Sequence, residues 1–293
     1  MPVHELESRL RAAPCVLDGA TGTELERRGY PTGLPLWSAA ALWDHPGVVS
    51  EIHADYARAG VDFLTANTFR TQRRTLARAG RGADAARLTR LAVTLAVEGA
   101  NAVPTPPAVL GSAPTLEDCY RPQDVPADAA LRQEHGEHAE HLARAGADAI
   151  LVETMNTVRE AVAAAQAARA VGLPFFVSFV CWDGPRLLSG ETLEAAIAAV
   201  APLQPTAVAV NCLPAANVAA CLPALAASGL LFGVYANLGT PDAETGFNRN
   251  EASTPSDFAR HATQWIAAGA RLVGGCCGTT PAHLRAVVEQ LRA

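Results

Sequence analysis

The sequence predicts an α/β fold of one domain spanning residues 1–293, a (β/α)8 TIM barrel. Three observations carry this. Eight short apolar runs alternate with Ala-rich amphipathic stretches. The runs are apolar on both faces, as strands of a covered parallel sheet are. Eight such units in 293 residues match the length of one barrel.

The runs are Cys15 to Leu17, Val61 to Ala66, Ala108 to Leu110, Ala149 to Val152, Phe175 to Val180, Ala207 to Val210, Leu230 to Tyr235 and Arg271 to Val273. Helical patterns follow at Val48 to Ala59, Asp84 to Ala100, Ala129 to Ala145, Thr157 to Ala170, Thr192 to Val200, Asn217 to Ala227, Pro255 to Ala268 and Pro281 to Leu291. Ser256 and Asp257 read as the start signal of the seventh helix, and Thr280-Pro281 as cap and first residue of the eighth. Gly60, Gly146, Gly172 and Gly269 stand where helices stop and strands follow, a place that calls for a left-handed residue. An open doubly wound sheet is the weaker alternative: Asp18-Gly19-Ala20-Thr21-Gly22-Thr23 lacks the G-x-G-x-x-G spacing of a dinucleotide fingerprint.

Composition narrows the function classes. Hydrophobic residues make up 49% and charged residues 18%, which is globular rather than disordered. A net charge of −6 gives no attraction for nucleic acid or an anionic membrane, so neither is expected as a partner. No apolar stretch reaches the ~20 residues of a membrane span. The polar stretch Met1 to Leu10 lacks the apolar region of a signal peptide. Seven cysteines, an odd number, fit reduced thiols rather than a disulfide framework. A cytoplasmic enzyme acting on small molecules is the expectation; the number of subunits stays open and a homo-oligomer is compatible with it.

In a barrel the chemistry sits at the C-terminal ends of the strands. Here the runs end in Asp18, Asn67, Ser112, Glu153, Asn211-Cys212, Asn237 and Cys276-Cys277. The cysteines are the sharpest signal. Strands six and eight are next-but-one neighbours, so Cys212 and the pair Cys276-Cys277 can converge over the mouth. Three thiolates with an exchangeable fourth position make a catalytic metal site, and soft sulfur favours zinc over magnesium or calcium. Gly274, Gly275 and Gly278 would let the backbone bend so that both sulfurs face one point. Cys15, Cys119, Cys181 and Cys221 read as small buried apolar groups.

Val16-Leu17-Asp18-Gly19-Ala20-Thr21-Gly22-Thr23-Glu24-Leu25, Thr65-Ala66-Asn67-Thr68-Phe69, Val152-Glu153-Thr154, Val210-Asn211-Cys212 and Gly274-Gly275-Cys276-Cys277-Gly278-Thr279-Thr280-Pro281 together resemble the homocysteine S-methyltransferase family. The resemblance runs from about Leu17 to the C-terminus. It implies that Cys212, Cys276 and Cys277 bind Zn2+ and that the homocysteine sulfur takes an open position. It further implies that Asp18 and Glu153 hold the substrate ammonium, an ion with three donors and no acceptor. Gly19 and its neighbours through Thr21 offer N–H groups to the carboxylate, and Asn67, Asn211 and Asn237 orient loops or ligands. The stretch Gly111 to Tyr120 departs from the Gly-Pro-Tyr turn of many relatives, and Arg70 stands where betaine-using relatives have tyrosine. S-methylmethionine or S-adenosylmethionine is therefore expected as methyl donor ahead of betaine or folate. A homocysteine-binding module serving a separate corrinoid partner is the alternative, and a redox sensor using Cys276-Cys277 a third class. His135, His138 and His141 read as a solvated helix face, and the segment Asn237 to Pro255 as a lid or an idle excursion.

Overall fold

A computed structural model of the chain describes residues 3–240, 248–249 and 254–292. The eight barrel strands are β1 (Cys15–Val16), β2 (Phe63–Ala66), β3 (Ala108–Pro114), β4 (Ala149–Met155), β5 (Phe175–Phe179), β6 (Ala207–Pro214), β7 (Phe232–Asn237) and β8 (Leu272–Gly275). They pair in parallel, each with its sequence neighbour, and β8 returns to β1 through Cys15↔Leu272 and Val16↔Val273. A bridge between Leu17 and Phe63 joins β1 to β2 and completes the ring. The expected barrel is the observed fold.

Side-chain alternation builds two cores. Leu17, Phe63, Leu110, Leu151, Phe176, Ala209, Tyr235 and Leu272 point inward and form the barrel interior. Val109, Ile150, Val152, Val177, Val208 and Val234 point outward and meet the helices. The interior layer is sealed from below by the helix Val3–Ala12, which the periodicity did not predict; its Leu6 and Leu10 are fully buried in the same cluster. Arg271 Nε ties this helix down by donating to the Leu10 carbonyl at 3.0 Å.

Most helices stand where the pattern put them, with three corrections. The segment expected as a helix from Asn217 to Ala227 splits into a 3-10 turn, Ala215–Ala220, and the short helix Leu222–Ala227. Pro223 lies in the first turn of the latter and has no N–H with which to continue an earlier helix. The seventh helix is capped by Thr254, not by Ser256 or Asp257; Thr254 and Asp257 form a reciprocal capping box around Pro255. The histidine face is not solvated: His135 and His138 are each 3% exposed. His138 Nε2 lies 3.0 Å from the Ser112 carbonyl, and His135 Nε2 lies 3.2 Å from Glu160 Oε1. They fasten the helix Asp128–Ala145 to β3 and to the helix after β4. The four glycines expected to stop helices all have positive φ, from 77° to 107°. The segment read as a lid lies largely outside the described residues.

Candidate active site and metal centre

One step up the barrel from the apolar layer, the same inward alternation carries polar groups. Leu110 is followed inward by Ser112, Leu151 by Glu153, Phe176 by Ser178, Ala209 by Asn211 and Leu272, via Gly274, by Cys276. Strands β3, β4, β6 and β8 extend further than the apolar runs suggested, so several of these groups sit on rigid strand rather than on loop. Above them opens a cavity of about 540 Å³. Asp18, Gly19, Asn67, Glu153, Cys212, Cys276 and Cys277 all line it.

Alternation alone points Cys212 outward, because Asn211 points inward. The chain corrects this by breaking register between Asn211 and Pro214 and by holding Cys212 at φ +54°. Such a left-handed turn at a non-glycine residue is costly and re-aims the side chain. Trp182 Nε1 donates to the Cys212 carbonyl at 3.2 Å and holds the turned peptide. The Cys212 sulfur then lies 2.7 Å from that of Cys276, and all three sulfurs lie within 4.8 Å of one another. Zinc–sulfur bonds of about 2.3 Å place tetrahedral sulfurs just under 4 Å apart, so three soft donors in this span fit one thiophilic ion. Among the described residues this is the one cluster of metal-ligand type. Hydrogen bonds from Cys212 and Cys277 pull Cys276 below the ordinary thiol value.

Gly278 has φ +85°, as the turn after the cysteines requires. Gly274 and Gly275 serve a different purpose from the bending expected of them. A Cβ on Gly275 would stand 2.2 Å from Thr279 Oγ1, and one on Gly274 would stand 2.8 Å from Leu17 Cβ. They are glycines because neighbouring chain passes too close. Thr279 Oγ1 donates to the Cys276 carbonyl at 2.7 Å, and Leu238 N–H donates to that of Cys277 at 3.0 Å. The vicinal pair is thereby fixed from both sides.

Asp18 and Glu153 form the second feature. Both are nearly dry, at 1% and 7% exposure, and among the described residues neither has a cationic partner. Asp18 accepts from Thr65 N–H at 2.8 Å; Glu153 accepts from the Ser112 hydroxyl and, at 3.4 Å, from Tyr235. Burial pushes each carboxyl up to about 8, and the nearby Cys276 and the opposite carboxylate add to the rise at Glu153. Two desolvated acids facing one cavity make a receptor for an ammonium group.

Asn67 is held through Ser38, whose Oγ donates to Asn67 Oδ1 at 2.6 Å while Asn67 Nδ2 donates to the Ser38 carbonyl. Asn211 does not face a ligand; it is fully buried in protein contacts. Asn237 is 1% exposed, and among the described residues neither of its amide atoms has a hydrogen-bond partner. Of the N–H groups offered by Gly19 to Thr21, that of Ala20 already donates to Thr279 Oγ1 at 3.3 Å. Cys119 joins the cavity wall, whereas Cys181 does not. Sequence reasoning missed the outer wall, formed by Trp37, Phe69, Tyr120 and Trp182. These aromatics come from separate loops, and nothing in their spacing announces a common chamber.

Comparison with known proteins agrees with this architecture. A family model described as homocysteine S-methyltransferase matches residues 15–291. The homocysteine S-methyltransferase of Escherichia coli (strain K12) is 34% identical over 289 residues, covering 93% of each chain. The selenocysteine Se-methyltransferase of Brassica oleracea var. italica is 28% identical, covering 94% of this chain and 88% of its own. The crystal structure of the metallated form of the homocysteine methyltransferase MmuM from Escherichia coli superposes with a TM-score of 0.84 at 31% identity, covering 96% of this chain and 99% of that one. Among the described residues no helix is long and apolar enough to cross a membrane. With a matching family model over nearly its whole length and relatives of over 30% identity, the chain belongs to the homocysteine S-methyltransferase family and is a methyltransferase.

Proposed function

We propose that the chain transfers a methyl group from a sulfonium donor, S-methylmethionine or S-adenosylmethionine, to the sulfur of homocysteine, with zinc held by Cys212, Cys276 and Cys277. One observation carries the reading: three thiols from two strands converge within 4.8 Å, beside two unpaired, buried carboxyls. Zinc, when bound, lowers the pKa of a coordinated thiol and so keeps the nucleophile ionised at neutral pH.

The protein's own groups do the rest. Asp18 and Glu153 take the homocysteine ammonium and thereby fix the direction in which its side chain runs. Ser112 and Tyr235 set the orientation of Glu153. Thiol and donor react in line: a new carbon–sulfur bond forms, the donor's methyl–sulfur bond breaks, its electron pair stays on the departing neutral thioether, and the thiol proton is released. The aromatic walls of Trp37, Phe69, Tyr120 and Trp182 suit a sulfonium by cation–π attraction and keep water away from the reacting carbon. Holding two reactants in line supplies most of what such a displacement needs.

Metal analysis and turnover of the purified protein, with homocysteine and a panel of donors, test this. The expected result is about one zinc per chain, lost when Cys276 is replaced by alanine, and methionine formed from a sulfonium donor. Zinc and homocysteine binding without turnover on any sulfonium would overturn it in favour of a module that serves a separate corrinoid partner.

A further inference from the structure

Four arginines lie on or just after the turn that leaves β2, and three are paired. Arg73 binds Glu137, Arg74 binds Glu117 and Glu134, and Arg78 binds Glu117. Arg70 is different. It is 8% exposed, it lines the cavity, and among the described residues its Nε has no hydrogen-bond partner. Among the described residues no carboxylate lies within ion-pair distance of it. Its described neighbours are a ring and a thiol: Cζ stands 5.4 Å from the centroid of Phe69, itself part of the outer wall, and its charge acts on the buried Cys119. The cavity's other arginine, Arg121, is largely exposed and already paired with Asp124 at 2.7 Å.

A buried guanidinium without an anion is expensive, because its desolvation is not offset by a partner. A fold retains one where a ligand brings the missing charge. The acceptor is accounted for at the inner end, where Asp18 and Glu153 await its ammonium and a zinc held by Cys212, Cys276 and Cys277 would take its sulfur. The outer end has an aromatic wall and one unsatisfied cation. A cation beside a sulfonium repels it unless a carboxylate on the same molecule lies between them. A guanidinium fork binds a carboxylate through two parallel N–H bonds.

We propose that Arg70 binds the carboxylate of the methyl donor, so that the site selects sulfonium donors carrying an amino-acid carboxylate over simple alkyl sulfoniums. This rests on the sulfonium reading above and adds the anchor that chooses among sulfoniums.

The experiment compares the parent with Arg70→Met and Arg70→Lys on three ligands: homocysteine, S-methylmethionine and the carboxylate-free trimethylsulfonium ion. KM values are read from turnover. Binding is read independently from quenching of tryptophan fluorescence, since Trp37 and Trp182 line the same chamber. Arg70→Met should raise the KM and the binding constant for S-methylmethionine about 100-fold. The homocysteine KM should stay within twofold, and kcat/KM for trimethylsulfonium should not fall. Arg70→Lys, which keeps charge and loses the fork, should lie between. A rise in the homocysteine KM instead, or equal losses on both sulfoniums, would overturn the assignment. Misfolding of Arg70→Met would show itself as lost homocysteine binding together with a lowered Tm, and Arg70→Lys, which keeps the charge, then decides the question by its donor discrimination. If the parent turns over no sulfonium, the proposed function fails. The fluorescence titration still decides Arg70: a weakening confined to the carboxylate-bearing ligand supports it, and unchanged binding refutes it.

Discussion

Replacing Glu153 with glutamine should stabilise the substrate-free protein while weakening its hold on homocysteine. Glu153 is buried, and its carboxyl is raised from 4.5 to about 8. An acid whose folded pKa lies above its unfolded one gives stability that is complete below about pH 4.5 and is lost as pH rises to about 8. At pH 7 the loss amounts to about 2.5 units at 1.36 kcal/mol each, so roughly 3 kcal/mol. Glutamine carries no charge to desolvate, and its carbonyl can still accept from Ser112. Glu153→Gln should therefore raise the Tm by several degrees at pH 7.5 and leave it nearly unchanged at pH 4.5. The cost appears in binding: one of the two acids proposed to receive the ammonium is gone, and the homocysteine KM should rise at least tenfold. Thermal unfolding at the two pH values, with and without homocysteine, measures both halves. A variant less stable than the parent at pH 7.5, by an amount independent of pH, would refute the reasoning.

Other perturbations test other parts of the structure. Gly275→Ala would place a methyl against the Thr279 side chain, which holds the Cys276 carbonyl, so metal content and activity should both fall while the fold survives; metal analysis and circular dichroism check this. His53 and His138 are buried and held down to about 4, so neutral histidine is required by the fold. Stability present above pH 6.5 should be lost as pH falls toward 4, by at most about 3 kcal/mol per histidine, and His53→Leu should remove part of that slope in urea titrations at stepped pH. Asn211→Ala should cost two to three orders of magnitude in kcat, raise the homocysteine KM and loosen the metal, whereas Asn67→Ala should leave metal content unchanged; metal titration and steady-state kinetics separate the two.

The strand–helix rhythm was legible because each unit is local. Val109 and Ile150 face helices and Leu110 and Leu151 face the interior, so the runs are apolar throughout and the glycines after each helix mark the return. The Gly274 to Gly278 run and Cys212 were legible as one candidate cluster because their residue types have little other use together, and the structure brings the three sulfurs within 4.8 Å. What escaped the sequence depends on partners distant along the chain. His135 and His138 repeat with glutamates as a solvated face would, yet Glu160 and the Ser112 carbonyl claim them. Gly274 and Gly275 look like hinges, and only the passage of Leu17 and Thr279 beside them shows why a side chain is excluded. In the sequence Arg70 stands out only as a departure from the tyrosine of betaine-using relatives; its burial in the cavity wall, away from the acids that pair Arg73 and Arg74, is visible only in the structure.

Cys212 and Glu153 belong to two separate proposed roles, one for metal and one for ammonium, but the structure ties their positions together. Thr154, directly after Glu153, is left-handed at φ +60°, as Cys212 is at +54°, and both sit where a strand breaks register with its neighbour. Conformations of this kind cost about 1–3 kcal/mol each and persist only when their surroundings enforce them. The enforcing group is Asn211. Its Oδ1 accepts from Thr154 N–H at 3.1 Å and from Ser178 Oγ at 2.7 Å, and its Nδ2 donates to Thr154 Oγ1 at 2.8 Å. One buried amide thus spans β4, β5 and β6 and pins the turn beside each functional side chain. The position of the sulfur that completes the cysteine cluster is tied to that of Glu153, the acid proposed to receive the ammonium. An ionised aspartate in place of Asn211 could accept from Thr154 but not donate to it, and would add a third buried acid beneath two already pushed up to about 8. The amide is therefore required for its donor as well as its acceptor, a constraint that neither turn imposes alone.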